Sequence, residues 1–244
     1  MKRFVLLLLA LCMALPAMAC AEEAQTQRVV YLTFDDGPKK DTPELLALLE
    51  ELDVPATFFL VGLSVRAFPE YAKMIVDAGY TVGCHSMTHS YSRLKSGTDY
   101  VGRDLVRFTE LMRETVGEDF STDIYRFPGG SSSYASHTKT FVRDQGYAWF
   151  DWNVMTGDAQ YTFNKDEDML HYTIGQVRGQ EVVVLLMHES KARTRRILPE
   201  LVAYFRENGY EFRTLSTGEE DREILSRCKF NMMMPEVPQL AAQE

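Results

Sequence analysis

The sequence predicts an α/β protein built on a parallel sheet of about seven strands. Three observations predict it. Strand-like and helix-like segments alternate from Arg28 onward. Several strand segments are unbroken apolar runs, as strands buried on both faces are. The segments that carry chemistry fall just after strands, where a (β/α) barrel keeps its active site. A doubly wound sheet fits the alternation as well, and the third observation favours the barrel.

The elements follow in order. Arg28–Thr33 (RVVYLT) is a buried-strand run, and 42–52 is helical with Pro43 at an early helical position. ATFFLV at 56–61 is the second strand; 70–78 has helical spacing and stops at Gly79, a natural C-cap. A strand at 80–84 precedes a longer helix at 99–116. Then come a strand at 123–127, a helix at 136–145 ending at Gly146, and a strand at 147–154. A helix at 166–177, the apolar strand VVVLLM at 182–187, a helix at 193–208 and a strand at 210–215 complete the domain, read as 28–215. Residues 216–244 read as a tail: a short helix over 219–227, then a loose end rich in Met and Pro. No internal repeat or interdomain linker interrupts the 244 residues, enough for one sizeable core.

Residues 1–19 stand apart. Lys2 and Arg3 precede an apolar run from Phe4 to Leu15, and Ala17-Met18-Ala19 follows, which reads as an export signal peptide. The run is short for a membrane span, which takes about 20 residues. Cleavage after Ala19 exposes Cys20, so the reading is an exported protein, extracellular or cell-wall associated, with a lipoprotein anchored through Cys20 as the alternative. Loss of Lys2 and Arg3 takes the formal charge from −9 to −11, which excludes nucleic acid as an expected partner. No obligate protein partner is evident. Cys84 and Cys228 can pair in an exported protein or remain two separate thiols.

Four segments carry chemistry. Thr33–Pro38 (TFDDGP) ends a strand with two carboxylates, Asp35 and Asp36. Strand neighbours point to opposite sides, so both reach one site only if the backbone turns there, and Gly37-Pro38 supplies a turn. His85-Ser86-Met87-Thr88-His89 spaces two imidazoles at i and i+4, on one face of a helical turn, a usual arrangement for one divalent metal. Ser86 stands where zinc proteases carry their glutamate, so a general base must come from elsewhere, with Asp35 or Asp36 the obvious supplier. Arg126-Phe127-Pro128-Gly129-Gly130 offers a guanidinium fork for a carboxylate and a glycine that lets its N–H approach a substrate. His188 sits at the mouth of the apolar strand, placed for proton transfer. His137 and His171 read as surface residues.

TFDDGP at 33–38, HSMTH at 85–89, RFPGG at 126–130, DWNVMTGDA at 151–159 and LMH at 186–188, in this order, resemble the polysaccharide deacetylase family, carbohydrate esterase family 4. The resemblance covers roughly residues 28–215 and implies a deformed, incomplete (β/α) barrel. It implies one divalent metal, Zn or alternatively Co or another divalent ion, held by Asp36, His85 and His89. It makes Asp35 the general base, oriented by Arg126, and His188 the general acid. The Gly129 N–H would stabilise the oxyanion, and Leu186 would line the acetyl pocket. The implied substrate is N-acetylated cell-wall polysaccharide, most readily peptidoglycan N-acetylglucosamine or N-acetylmuramic acid. The alternatives are a xylan-type O-acetyl esterase, a chitooligosaccharide deacetylase and an inactive wall-binding homologue. One segment departs from the pattern: Met155 stands where an Asp commonly partners the acidic His, and Ala159 where a Trp walls the groove. Support for His188 then comes from Asp158 or Asp151, or is missing.

Overall fold

A computed structural model describes residues 27–235. The export segment, Cys20 and the last residues of the tail lie outside them. The elements run β1 (Arg28–Gly37), α1 (Thr42–Glu51), β2 (Thr57–Leu60), α2 (Gly62–Ala67), α3 (Pro69–Asp77), β3 (Thr81–Cys84), α4 (Tyr91–Leu94) and α5 (Thr98–Val116). They continue with β4 (Ile124–Tyr125), α6 (Ser136–Asp144), β5 (Ala148–Phe150), β6 (Val154–Met155), α7 (Asp166–Val177), β7 (Val182–His188), α8 (Ala192–Glu207), β8 (Tyr210–Arg213), α9 (Glu219–Ser226) and β9 (Met232–Met233).

The strands form one sheet in the order β6-β7-β1-β2-β3-β4-β5-β9, with β8 also paired to β1. Every pairing is parallel except β5 with β9. Among the described residues no ladder joins β6 to β9. The sheet curls without closing, an incomplete barrel as expected, with nine strands where about seven parallel ones were expected. The expected strand at 147–154 is two strands. β5 pairs with β4 and β9, β6 pairs with β7, and the chain crosses from one sheet edge to the other through Asp151-Trp152-Asn153.

β1 is the axis of the sheet. One edge carries β7 from Val29 to Asp35; the other carries β8 beside Arg28–Tyr31 and β2 from Thr33 onward. Its side chains alternate. Val30, Leu32 and Phe34 pack in the core beneath the helices, while Val29 and Tyr31 point into a second core with Phe59, Phe150, Val182 and Val184. The period of two carries that inward row on to Thr33 and Asp35 on β1, and to Leu186 and His188 on β7. The inner row is thus apolar at one end of the barrel and polar at the other.

Residues 216–235, read as a tail, close the apolar end. Ile224 and Leu225 of α9 are buried in the second core, and β9 adds to β5. Asp221 fixes α9 to β1: its carboxylate accepts from Tyr31 Oη at 2.7 Å, Arg213 Nε at 3.0 Å and Ser216 Oγ at 2.5 Å. Cys84 is buried and Cys228 half-buried, both as free thiols. Among the described residues, no helix is long and apolar enough to cross a membrane.

Leu225→Ala is expected to lower the unfolding free energy by about 2–5 kcal/mol, because its site is fully buried. Urea denaturation followed by circular dichroism reads this. A loss below about 1 kcal/mol would mean that α9 is not part of the cooperative core.

Candidate active site

The two adjacent carboxylates reach one site because of Asp36 itself. Asp36 adopts φ 73°, in the left-handed region, ahead of the cis Gly37–Pro38 bond. The β1–β2 register slips between Asp35 and Gly37, so a bulge interrupts the alternation. Gly37 has a further requirement: a Cβ there would overlap the Glu189 carboxylate.

The two histidines do not ride a helical turn. His85 follows directly on β3, and the loop to His89 bends through Ser86 (φ 72°) and His89 (φ 53°). Ser86 Oγ accepts from the His89 N–H at 2.9 Å, and Asp104 Oδ2 on α5 accepts from the Met87 N–H at 2.8 Å. His85 and His89 Nε2 lie 3.7 and 3.3 Å from Asp36 Oδ1. One ligand atom from each of Asp36, His85 and His89 lies within 4.8 Å of the others. Ligands about 2.0–2.2 Å from one tetrahedral ion stand roughly 3.3–3.5 Å apart, so the set fits one small divalent cation. His85 Nδ1 is 2.8 Å from the Arg126 carbonyl. A carbonyl only accepts, so Nδ1 holds the hydrogen and Nε2 keeps its lone pair for a metal. Burial holds the His85 imidazole below its ordinary pKa, against the pull of Asp35 and Asp36, and so favours the neutral ring.

Asp35 is buried, with Oδ2 3.6 Å from His85 Nε2. Its Oδ1 accepts from Arg126 Nη1 at 2.8 Å. Arg126 is fully buried and its guanidinium spends every nitrogen: Nη1 also donates to Thr33 Oγ1 at 2.7 Å, Nε to the Phe150 carbonyl at 3.0 Å, and Nη2 to the Asp151 carbonyl at 3.0 Å. Its plane lies over Phe59, 4.2 Å from the ring centroid. Thr33 Oγ1 passes its own hydrogen to the Leu185 carbonyl at 2.7 Å.

Opposite stands His188, with Nε2 4.0 Å from Asp36 Oδ2. Its Nδ1 is 2.7 Å from Asp158 Oδ1, and its backbone N–H donates to Asp158 Oδ2 at 2.9 Å. Thr194 Oγ1 donates to the same Oδ2 at 2.7 Å. Burial pulls the imidazole pKa down, but the Asp158 bond and charge, with Asp35 and Asp36 beyond, more than offset it, and His188 is raised from its ordinary value. The Asp151 carboxylate is engaged elsewhere, accepting from Ser131 N at 2.8 Å and Ser131 Oγ at 2.7 Å. Of the two carboxylates expected to support His188, Asp158 is the one at hydrogen-bond distance. Leu186 is buried one pleat before His188 on the same inward row.

Gly129 is exposed at φ 70°, and its N–H donates to no acceptor among the described residues. A Cβ there would come within 2.8 Å of the Tyr91 ring, so conformation and packing both demand glycine. His137 and His171 are exposed, away from these residues in the chain. Reading the sequence did not single out Asp104, Thr194 or Glu189. Asp104 carried a signal, since it falls on the apolar stripe Val101–Leu105–Phe108 of α5, where a carboxylate needs a buried partner. Glu189 is buried beside the β1 turn and accepts from Thr42 Oγ1 at 2.6 Å; burial pushes its pKa up to about 7.

Known proteins resemble this chain in sequence and in fold. The family model described as polysaccharide deacetylase matches residues 22–150. A peptidoglycan-N-acetylglucosamine deacetylase of Bacillus cereus is 34% identical over 193 residues, which is 76% of this chain and 68% of that protein. A CE4 esterase of Streptococcus mutans has a similar structure, with a TM-score of 0.73 and 31% identity over 78% of this chain and 87% of that one. A polysaccharide deacetylase of Bacillus cereus gives 0.70 and 30% over 78% and 93%.

Asp158→Asn removes the charge that favours the imidazolium. The His188 ring is then expected to titrate at lower pH than in the wild-type protein, read from its ring-proton shifts by NMR. An unchanged titration would show that Asp158 does not hold the proton on His188.

Proposed function

The chain belongs to the polysaccharide deacetylase family, and from that premise we propose that it is a metal-dependent hydrolase that removes N-acetyl groups from peptidoglycan, with N-acetylglucosamine as the first candidate sugar. Asp36, His85 and His89 would hold the ion. When bound, a divalent ion in such a site polarises the acetyl carbonyl and makes water more acidic. The remaining work falls to side chains and one amide. Asp35, fixed through Oδ1 by Arg126, takes the proton of the attacking water. The Gly129 N–H donates to the developing oxyanion. Leu186 contributes an apolar surface near the acetyl methyl.

The observation that carries the reading is the His188–Asp158 pair. Amide cleavage expels an amine, a poor leaving group unless it is protonated as it departs. His188, its Nδ1 hydrogen held by Asp158, presents Nε2–H to do this, and its raised pKa keeps it protonated at higher pH. An O-acetyl ester needs less such help, so the pair favours an N-acetyl substrate over a xylan-type ester. It also supplies a partner that Met155 cannot. The export reading of residues 1–19 suits a substrate outside the cell, whether the enzyme is free, wall-associated or tethered through Cys20.

The test is acetate release from purified peptidoglycan by the wild-type protein, with and without chelator, and mass analysis of the product sugars. Chelator-sensitive release with glucosamine in the product is expected. Asp35→Asn should lower the rate by roughly 10²–10⁴-fold. A metal-loaded protein that frees no acetate from N-acetylated glycan, or an Asp35→Asn variant of full activity, would overturn the proposal.

A further inference from the structure

Behind the His85–His89 loop lies a cavity of about 420 Å³ lined by Arg66 on α2, Arg93 on α4, and Arg103 and Arg107 on α5. None of the four guanidinium groups donates a hydrogen bond or forms a close ion pair among the described residues, and Arg107 acts on Asp104 only at longer range. That is unusual in this molecule. Apart from Arg178 and Arg227, every other described arginine is held by a carboxylate or a carbonyl. All four are exposed, and like charges gathered on one face of a chain of net charge −9 make a local attractor for anions.

The floor of the cavity adds a second observation. Asp104 is its one lining carboxylate and is 3% exposed. Its Oδ2 accepts from the Met87 N–H, Oδ1 lacks a close hydrogen bond, and the Tyr100 hydroxyl and the Arg107 guanidinium stabilise its charge. One carboxylate cannot neutralise four guanidinium groups. The cavity also belongs to the same loop as the candidate metal centre. Met87 and Thr88 line it and lie between His85 and His89. The start of α2 is tied to that loop by the Gly62 and Leu63 N–H groups, which donate to the Ser86 and Met87 carbonyls at 3.0 and 2.8 Å.

We propose that this cavity binds the carboxylates of the peptide stem carried by the glycan whose acetyl group sits at the metal centre. The inference rests on the wall-glycan substrate proposed above. Guanidinium forks match carboxylates in plane and can bind them bidentately. The volume suits a residue-sized group rather than a single small ion. Chitin and acetylated xylan are neutral, so the cavity distinguishes stem-bearing peptidoglycan from both.

The test compares acetate release from a stem-bearing muropeptide and from stem-free chitotetraose. In the wild type, KM is lower for the stem-bearing substrate. In Arg103→Ala/Arg107→Ala that preference, taken as the ratio of the two KM values, falls roughly tenfold, as expected for the loss of two exposed pairs. Arg178→Ala, elsewhere on the surface, serves as the control. An unchanged ratio in the double variant would overturn the inference. Calorimetric titration with a free stem peptide and with a glycerol phosphate trimer reads the site without turnover. The stem peptide is expected to bind the wild type and to bind the double variant roughly tenfold more weakly. Equal binding to both proteins, or tighter binding of the phosphate trimer, would overturn it. If no substrate yields acetate, the deacetylase reading falls and the titration still decides this one.

Discussion

The buried guanidinium of Arg126 is the constraint on which the rest of the site depends. A cation with no exposure must have its charge and its hydrogens satisfied inside the protein, and stripping one partner from such a group costs about 3–5 kcal/mol. Its partners come from both sides of the open barrel: Asp35 and Thr33 on β1, and the Phe150 and Asp151 carbonyls where β5 ends. No ladder closes the sheet among the described residues, so this side chain spans the interior instead. The same residue's carbonyl accepts from His85 Nδ1, so one position holds a carboxylate and orients an imidazole.

The barrel interior is divided accordingly. At one end the inner row is apolar and is covered by α9; at the other it ends in Asp35 and His188. These two groups face opposite environments. Asp35 is paired with a buried cation and His188 with a buried anion. Such a split suits one group to accept a proton and the other to give one, and it is built from neighbours rather than from unusual residues.

The alternation of elements was legible in the sequence because it follows from backbone periodicity, and the site residues because their strand-end motifs resemble those of the polysaccharide deacetylase family. What escaped was what periodicity cannot encode. The segment 147–154 reads as one strand, yet it crosses between sheet edges at Asp151–Asn153, a matter of sheet topology alone. The i, i+4 spacing of His85 and His89 suggests a helical turn, whereas two left-handed residues bring the rings together in a loop. The turn at Asp35-Asp36 was required by the alternation of strand side chains, but its seat at Asp36 was not visible. The choice between Asp151 and Asp158 depended on which carboxylate Ser131 engages. Asp104 could have been found, since a charge on an apolar helix stripe announces a buried partner.

The central claim is that two neighbouring aspartates divide their labour, Asp36 for a metal and Asp35 for a proton. Calorimetric titration of zinc into chelator-treated protein tests it directly. The account predicts one equivalent bound by the wild type and by Asp35→Asn, and loss of that binding in Asp36→Ala. Equal binding by Asp36→Ala, or loss of the metal in Asp35→Asn alone, would contradict it.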